Sequence, residues 1–359
     1  MKLFVSALEV SSNIHLKYLL HELNKIENIT LCGIFSSDVS SAPSLFTPNE
    51  FCIMGFSDVF IKLPFFIKAK KKALKLALQA DKVLLMDSSS FNLPLAKEIK
   101  KISPNKEIMY YILPQAWAWK PWRANILSKY CDKLAGILPF EISIYESRAR
   151  FIGHPLLDEI KYFKKKPIIK SNIITFMPGS RLGEIRKIFP IFREFKNILK
   201  QIDSSLIFNL VVPCFFDYKN LYKIYGNYDD FNISKDAHKS IYESKIAFIC
   251  SGTATLECAL IGTPFVLCYK AKKIDELIIR LFIKVKHIGL ANIIFEKMGE
   301  KFLFHNELLQ DSLNTQKLLE EYYFLNQESS QDSFLEKSQI IRSYLQTGSA
   351  SNVAKWLLR

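Results

Sequence analysis

At 359 residues, with 49% hydrophobic and 23% charged residues, the chain has the composition of a folded globular protein and enough length for two domains. Its 49 Lys and Arg against 35 Asp and Glu leave a formal charge of +14, which suits an anionic partner (nucleic acid, a phosphorylated substrate or an acidic membrane surface) without choosing among them. No apolar run is long enough to span a membrane, and the 7 cysteines include no C-x-x-C pair, so they read as reduced core residues in a cytosolic protein.

The opening MKLFVSALE is apolar but too short for a secretion signal, and Glu9 ends the run. Within it KLFVSA (2–7) reads as a strand. Leu16, Leu19, Leu20 and Leu23 then recur at helical spacing, with Ser12 or Asn13 placed to cap. ITLCGIF (29–35), KVLLMD (82–87), EIMYYIL (107–113) and KLAGIL (133–138) read as further strands, and their alternation with helical patterns predicts βαβ units on a parallel sheet. Residues 53–78 combine aromatics with Lys68, Lys70, Lys71, Lys72 and Lys75. Such a stretch inserts into the headgroup layer of an anionic membrane, or is an amphipathic helix with solvated lysines.

LPQAWAWKPWR (113–123) holds three of the 4 tryptophans and connects a strand to a helix. Pro121 takes the first helical position, and Trp122, Ile126 and Tyr130 follow at every fourth residue as a core stripe. The loop before them lies at the carboxyl end of a strand, where open α/β sheets place their ligands. The Lys-rich KYFKKKPIIKSN (161–172) reads as a linker. A second series of strands follows: NIITFM (172–177), LIFNLVV (206–212), KIAFIC (245–250) and PFVLCY (264–269), with a final helix from near Ser349. The economical architecture is α/β, two Rossmann-like domains with a cleft between them.

Two glycine-bearing turns follow strands of the second series. In MPGSRLGE (177–184), Gly179 and Ser180 turn tightly at the start of a helix and Arg181 adds a bidentate charge. In CSGTATLE (250–257), Ser251, Gly252 and Thr253 open another helix, and Glu257 is placed to reach sugar hydroxyls while the helix end holds phosphates. Each turn is either a phosphate cradle or only a tight connection. Neither a Walker loop nor a G-x-G-x-x-G is present. In the first series Glu9 and Asp87 stand at strand ends, as general bases or as helix caps. His154, framed in GHP, reads as part of a structural turn.

Taken together, MGFSDVF (54–60), DSSSFN (87–92), LPQAWAW (113–119), LPFE (138–141), RFIGHP (150–155), PGSR (178–181), SGTATLEC (251–258) and LANII (290–294) resemble the lipid-A-disaccharide synthase family, inverting glycosyltransferases of the two-domain GT-B fold. The resemblance covers roughly residues 1–300. It implies two Rossmann-like domains with parallel sheets facing a central cleft: residues 1–160, completed by a C-terminal helix at 334–359, on the acceptor and membrane side, and residues 161–333 on the UDP-sugar side.

It further implies transfer of a diacylglucosamine from UDP to a monophosphorylated diacylglucosamine, forming a β-1′,6 bond. Gly179, Ser180, Arg181, Glu184, Ser251, Gly252, Thr253, Glu257 and Asn292 would bind the UDP-sugar, Asp87 would be the base and Glu9 its assistant. Ser11, Asn92, Gln115, Trp117 and Trp119 would shape the acceptor cleft. Met54, Phe56, Phe60, Phe65, Phe66, Lys68, Lys70, Lys71 and Lys72 would touch an anionic inner-membrane surface, on the cytoplasmic side of a Gram-negative bacterium.

No metal or cofactor and no nucleic acid is expected, and a homodimer is compatible with this reading. The chain departs from the family pattern A-G-E-x-S-G-D, reading ALEVSSN (7–13), and carries Ser90 where the family has a second aspartate. The alternatives are a UDP-sugar epimerase on the same fold, and a nucleic-acid-binding module motivated by charge alone.

Overall fold

The computed structural model describes residues 1–51, 56–145, 148–168, 171–270 and 286–359, leaving aside the side chains at 49 and 56–62. These residues divide into two compact units, Met1–Glu159 with Leu345–Arg359, and Ile160–Tyr344.

The first unit is built on β1 (Lys2–Ala7), β2 (Thr30–Ile34), β3 (Lys82–Met86), β4 (Ile108–Tyr111), β5 (Lys133–Gly136) and β6 (Ala149–Phe151), in the order β2-β1-β3-β4-β5-β6. Every neighbouring pair is parallel. Helices cover both faces, which is why the strands read as unbroken apolar runs rather than alternating ones. The helices are α1 (Val10–Asn24), α2 (Pro48–Phe51), α3 (Phe56–Gln79), α4 (Ser89–Ile102), α5 (Trp122–Tyr130) and α6 (Pro155–Glu159). Leu3, Val5, Leu84 and Met86 pack on Leu16, Leu19 and Leu23 of α1. Phe4, Val83, Leu85 and Tyr110 face the other way, onto Ala69, Ala73 and Ala77 of α3, Ala96 and Ile99 of α4 and Leu127 of α5.

The second unit carries β7 (Ile173–Met177), β8 (Ile207–Val211), β9 (Phe231–Ser234), β10 (Ile246–Cys250), β11 (Phe265–Tyr269) and β12 (Glu307–Leu309), in the order β12-β11-β10-β7-β8-β9 and again parallel throughout. Its helices are α7 (Leu182–Ile202), α8 (Leu221–Tyr225), α9 (Ala237–Glu243), α10 (Thr253–Ile261), α11 (Leu290–Met298), α12 (Thr315–Leu325) and α13 (Glu328–Leu345). α7 buries Ile185, Ile188, Phe189, Phe192, Phe195 and Leu199, the stripe of a 3.6-residue period. Phe176 of β7 stacks on Phe248 of β10 at 5.5 Å between ring centroids.

The chain then re-enters the first unit at Leu345, and α14 (Ser349–Leu358) packs Val353, Ala354 and Leu357 against the α1 side of the sheet. Asp158 accepts from Gly348 N (2.6 Å) and Ala350 N (3.0 Å), anchoring this return. The sequence placed the return earlier, at 334, whereas residues 328–344 of α13 belong to the second unit.

Several local expectations are corrected. The N-cap of α1 is Glu9, while Asn13 is buried and donates to Ala7 O (3.0 Å) and Glu9 O (2.7 Å) as its Oδ1 accepts from Ser36 N (2.7 Å). Trp122 is 53% exposed, because α5 turns Ala124, Leu127 and Ser128 inward and leaves position 122 off that stripe. The expected linker is not free: Lys164 is buried, its Nζ donating to Ser244 O (2.5 Å) and its N–H to Ile261 O (2.8 Å), and burial holds its amine down at about 7.

Phe65 and Phe66 do not face outward either. Phe51 meets Phe65 at 5.2 Å, Phe66 at 5.5 Å and Phe91 at 5.4 Å, so these rings complete the core where α3 covers the sheet. The outward face of α3 is carried by Leu63, Ile67, Lys68 and Lys71, with Lys70 half-buried and Lys72 placed over the Phe46 ring. Met54 and the side chains of Phe56 and Phe60 lie outside the described residues.

Candidate active site

In the first unit the turn after β3 has an unusual backbone. Asp87 (φ 48°) and Ser88 (φ 38°) are successive non-glycine residues in the left-handed region, a conformation that costs about 1–3 kcal/mol per residue and persists only where neighbours dictate it. Here they do. Asn92 Nδ2 donates to Met86 O (2.9 Å) and Asp87 O (3.0 Å), Ser6 Oγ donates to Asn92 Oδ1 (2.6 Å), and the Tyr110 hydroxyl donates to Asp87 O. Asn92, expected in the wall of the acceptor cleft, is therefore fully buried and spends its amide bracing the turn.

Glu9 comes from the neighbouring β1–α1 turn, where its Oε1 accepts from Ser88 Oγ (3.0 Å). Burial, and secondly the charge of Glu9, raises the Asp87 carboxyl above its ordinary value. That direction suits a general base working near neutral pH. His15, whose charge opposes this rise, is buried on α1 and paired through Nδ1 with Glu159 Oε1. Sequence reasoning missed this pair: its members are 144 residues apart, and His15 sits within a leucine-rich stripe that reads as core.

The other residues expected on the acceptor side are more accessible. Ser11 is half-buried in the first turn of α1, and Gln115 is exposed. Trp117 is half-buried edge-on to Phe140 at 5.3 Å, and among the described residues its indole N–H has no partner. Trp119 is half-buried with Lys120 Nζ 5.2 Å from its ring centre.

In the second unit β7 and β10 are adjacent and parallel, with Met177 opposite Ile249, so the two glycine turns that follow them are neighbours. Gly179 (φ 103°) lies so close that a Cβ would stand 2.8 Å from Glu184 Oε2 and 3.1 Å from Cys250 Sγ. Arg181 donates to Glu184 Oε1 (2.8 Å), yet its side chain is 82% exposed, so the guanidinium is held at one edge and presented outward. Ser251, Gly252 and Thr253 lead into the nine-residue α10 with Gly252 and Thr253 exposed. Glu257, one turn further on, stands 3.7 Å from His238 Nε2 of α9. Burial lowers the pKa of that histidine. This is a compact anion-receptive surface of backbone amides, hydroxyls and one guanidinium.

Asn292 does not join it. It is 1% exposed, donates to His305 O (3.0 Å) and Glu307 Oε1 (2.8 Å), and accepts from Phe304 N (2.8 Å) and His305 N (3.1 Å). Glu307 also accepts from Ile288 N (3.0 Å) and Gly289 N (2.9 Å), so the N-terminus of α11 already holds a carboxylate.

Two further motif residues are structural. His154 is buried and kept neutral by that burial, which lowers its pKa to about 3, and its N–H reaches the carbonyls of Leu345 and Gln346 at 3.0 Å. Glu141 is buried where it accepts from Ile137 N (2.9 Å) and Leu138 N (3.1 Å). Among the described residues no group of three or more His, Cys, Asp or Glu is placed to hold a metal ion.

Two parallel six-stranded sheets with ligand-receptive turns at the carboxyl ends of their strands define an α/β protein of the GT-B class. Solved structures share that fold across nearly whole chains. The UDP-GlcNAc 2-epimerase from Neisseria meningitidis matches with TM-score 0.60, 12% identity and coverage of 99% of this chain and 98% of that one. The calicheamicin glycosyltransferase CalG4 matches with TM-score 0.59, 14% identity and coverage of 99% and 97%.

At the level of sequence, residues 3–355 match the family described as lipid-A-disaccharide synthetase. The lipid-A-disaccharide synthase of Helicobacter pylori (strain Shi470) is 51% identical over 98% of this chain and 96% of its own length. The chain belongs to the lipid-A-disaccharide synthetase family and is a glycosyltransferase.

Proposed function

We propose that the chain transfers a 2,3-diacylglucosamine from its UDP conjugate to the 6-hydroxyl of a 2,3-diacylglucosamine 1-phosphate, releasing UDP and forming the β-1′,6-linked disaccharide 1-phosphate. The observation that carries the donor half is the pairing of the Gly179 and Gly252 turns at the ends of adjacent strands, with Arg181 exposed beside them.

In an inverting transfer the acceptor oxygen attacks the anomeric carbon as its proton passes to a base, and the bond from that carbon to the β-phosphate oxygen breaks with its electron pair going to UDP. Asp87 takes the proton, and Glu9 orients it through Ser88. The amides at the start of α10 and the Arg181 guanidinium receive the charge that develops on the diphosphate. Glu257 takes the ribose hydroxyls, while Ser11, Gln115, Trp117 and Trp119 border the acceptor. The lipid substrates reach the enzyme at an anionic membrane surface met by Leu63, Ile67 and the lysines of α3.

Mass spectrometry of the products formed by purified protein from both lipid sugars tests the reading. A disaccharide 1-phosphate accompanied by stoichiometric UDP is expected. Conversion of the UDP-sugar to an epimer without any acceptor would replace this reading with an epimerase.

A further inference from the structure

A groove of about 480 Å³ lies between α4 and α5, beside the Asp87 turn and lined in part by Ser89, Ser90, Lys97, Lys101, Lys120 and Arg123. Lys97 and Lys101 are one helical turn apart, on the α4 face that also bears Ser90. Lys120 and Arg123 come from the loop and first turn that follow β4, the strand next to β3. Against these four cations the groove offers one carboxylate, Glu98.

Like charges gathered in a concave site repel one another, and surface cations are ordinarily relieved by neighbouring carboxylates. Lys100, on the same helix but outside the groove, shows this: it pairs with Asp132 at 2.8 Å. Among the described residues none of the four groove cations forms an ion pair. Lys120 is also held at φ 55°, a left-handed conformation for a residue with a side chain. Arg123 lies near enough to Tyr110, the phenol bonded to Asp87 O, to oppose the effects of burial and of the Asp87 charge on it.

We propose that this groove is a phosphomonoester subsite that holds the 1-phosphate of the sugar acceptor through Lys97, Lys101, Lys120 and Arg123, and so sets the acceptor hydroxyl against Asp87. The inference rests on the acceptor assignment made above. Ser89 is two residues from Asp87, at most ~7 Å along the chain, a distance comparable with the width of one sugar ring. A phosphate held at the Ser89 end of the groove, toward which the helical side chains of Lys97 and Lys101 lean, leaves the far side of the same ring near the carboxylate. The hydroxyls of half-buried Ser89 and exposed Ser90, at the first turn of the 14-residue α4, add neutral donors beside the charges.

Steady-state kinetics of the full chain in neutral mixed micelles, comparing the phosphorylated acceptor with the same diacylglucosamine lacking phosphate, is the test. The double substitution Lys97→Ala with Lys101→Ala, and separately Lys120→Ala, raises the KM for the phosphorylated acceptor roughly ten- to hundredfold for each charge-assisted hydrogen bond removed. The KM for the UDP-sugar stays unchanged, and so does the poorer KM for the unphosphorylated acceptor. An unchanged acceptor KM, or equal losses with both acceptors, overturns the subsite.

Arg123→Lys keeps the charge beside Tyr110 and is expected to lose less than Arg123→Ala; equal losses there mean that α5 is merely disrupted and count against the assignment. Calorimetric titration with glucosamine 1-phosphate needs no turnover. Binding by the parent protein and its loss in the Lys97/Lys101 double variant support the groove even if the transfer reaction proves to be another one. Binding retained by that variant, or absent from the parent, overturns the groove while leaving the transfer reaction to stand on its product. If the substitutions weaken sedimentation with phosphatidylglycerol vesicles but spare glucosamine 1-phosphate binding, the groove reads membrane headgroups and the proposal fails.

Discussion

Asp87 is where residue-level chemistry is most concentrated. Its raised pKa means that the folded protein binds this proton more tightly than the unfolded chain does. Stability is therefore fully present below the ordinary aspartate value, falls as pH rises from that value through the folded one, and stays lowered above it. Asp87→Asn removes this loss and, because asparagine tolerates the left-handed region, eases the φ of 48° as well. The variant is expected to unfold at higher urea concentration at pH 8 than the parent while transfer falls by about 10²–10⁴-fold.

An inactive variant that is also less stable would place Asp87 among the bracing residues instead. The position of Asp87 and Glu9 just past β3 and β1 was legible from the apolar runs that precede them. That Asn92 and Asn292 serve the backbone was not, because the spacing of an amide along a chain does not reveal which carbonyls will surround it after folding. The His15–Glu159 pair was hidden for the same reason.

At the scale of the element, the strand-to-helix turn of the second unit makes the sharpest demand. Gly179→Ala meets a left-handed backbone and places a methyl group 2.8 Å from Glu184 Oε2, so Glu184 must swing away and release Arg181. We expect a stability loss of about 1–3 kcal/mol together with weaker UDP binding, read from urea unfolding and calorimetric titration of the same variant. Loss of stability with UDP affinity intact would separate the turn from the donor site.

Nine strands announced themselves as apolar runs, with bounds within two residues of those observed. The three that did not, β6, β9 and β12, are edge strands of three or four residues, paired on one side and partly exposed. Short, half-solvated edges carry little of the β-branched and apolar signal that marks an interior strand.

For the molecule as a whole, no helix among the described residues is long and apolar enough to cross a membrane. The lipid-surface attachment proposed above is assigned instead to outward side chains and to the charge of +14. Sedimentation with vesicles containing phosphatidylglycerol is expected to fall as salt rises, since exposed charges are screened over ~8 Å at physiological ionic strength. Lys68→Glu with Lys71→Glu is expected to reduce it further without affecting thermal stability. Equal sedimentation with neutral vesicles would remove the lysines of α3 from that role.

The order of strands and helices, the fold class, the two glycine turns and the carboxylates at strand ends were determined by the sequence alone, because each depends on local periodicity and turn chemistry that adjacent residues encode. The tertiary structure decided which of those groups are free for chemistry. Pairing two turns through adjacent strands, turning Phe65 and Phe66 of α3 toward Phe51 and the core, spending Asn92 and Asn292 on backbone carbonyls, and gathering four cations between α4 and α5 all depend on contacts between distant residues. Whether a polar side chain faces solvent or satisfies a buried group is settled only when its surroundings have packed.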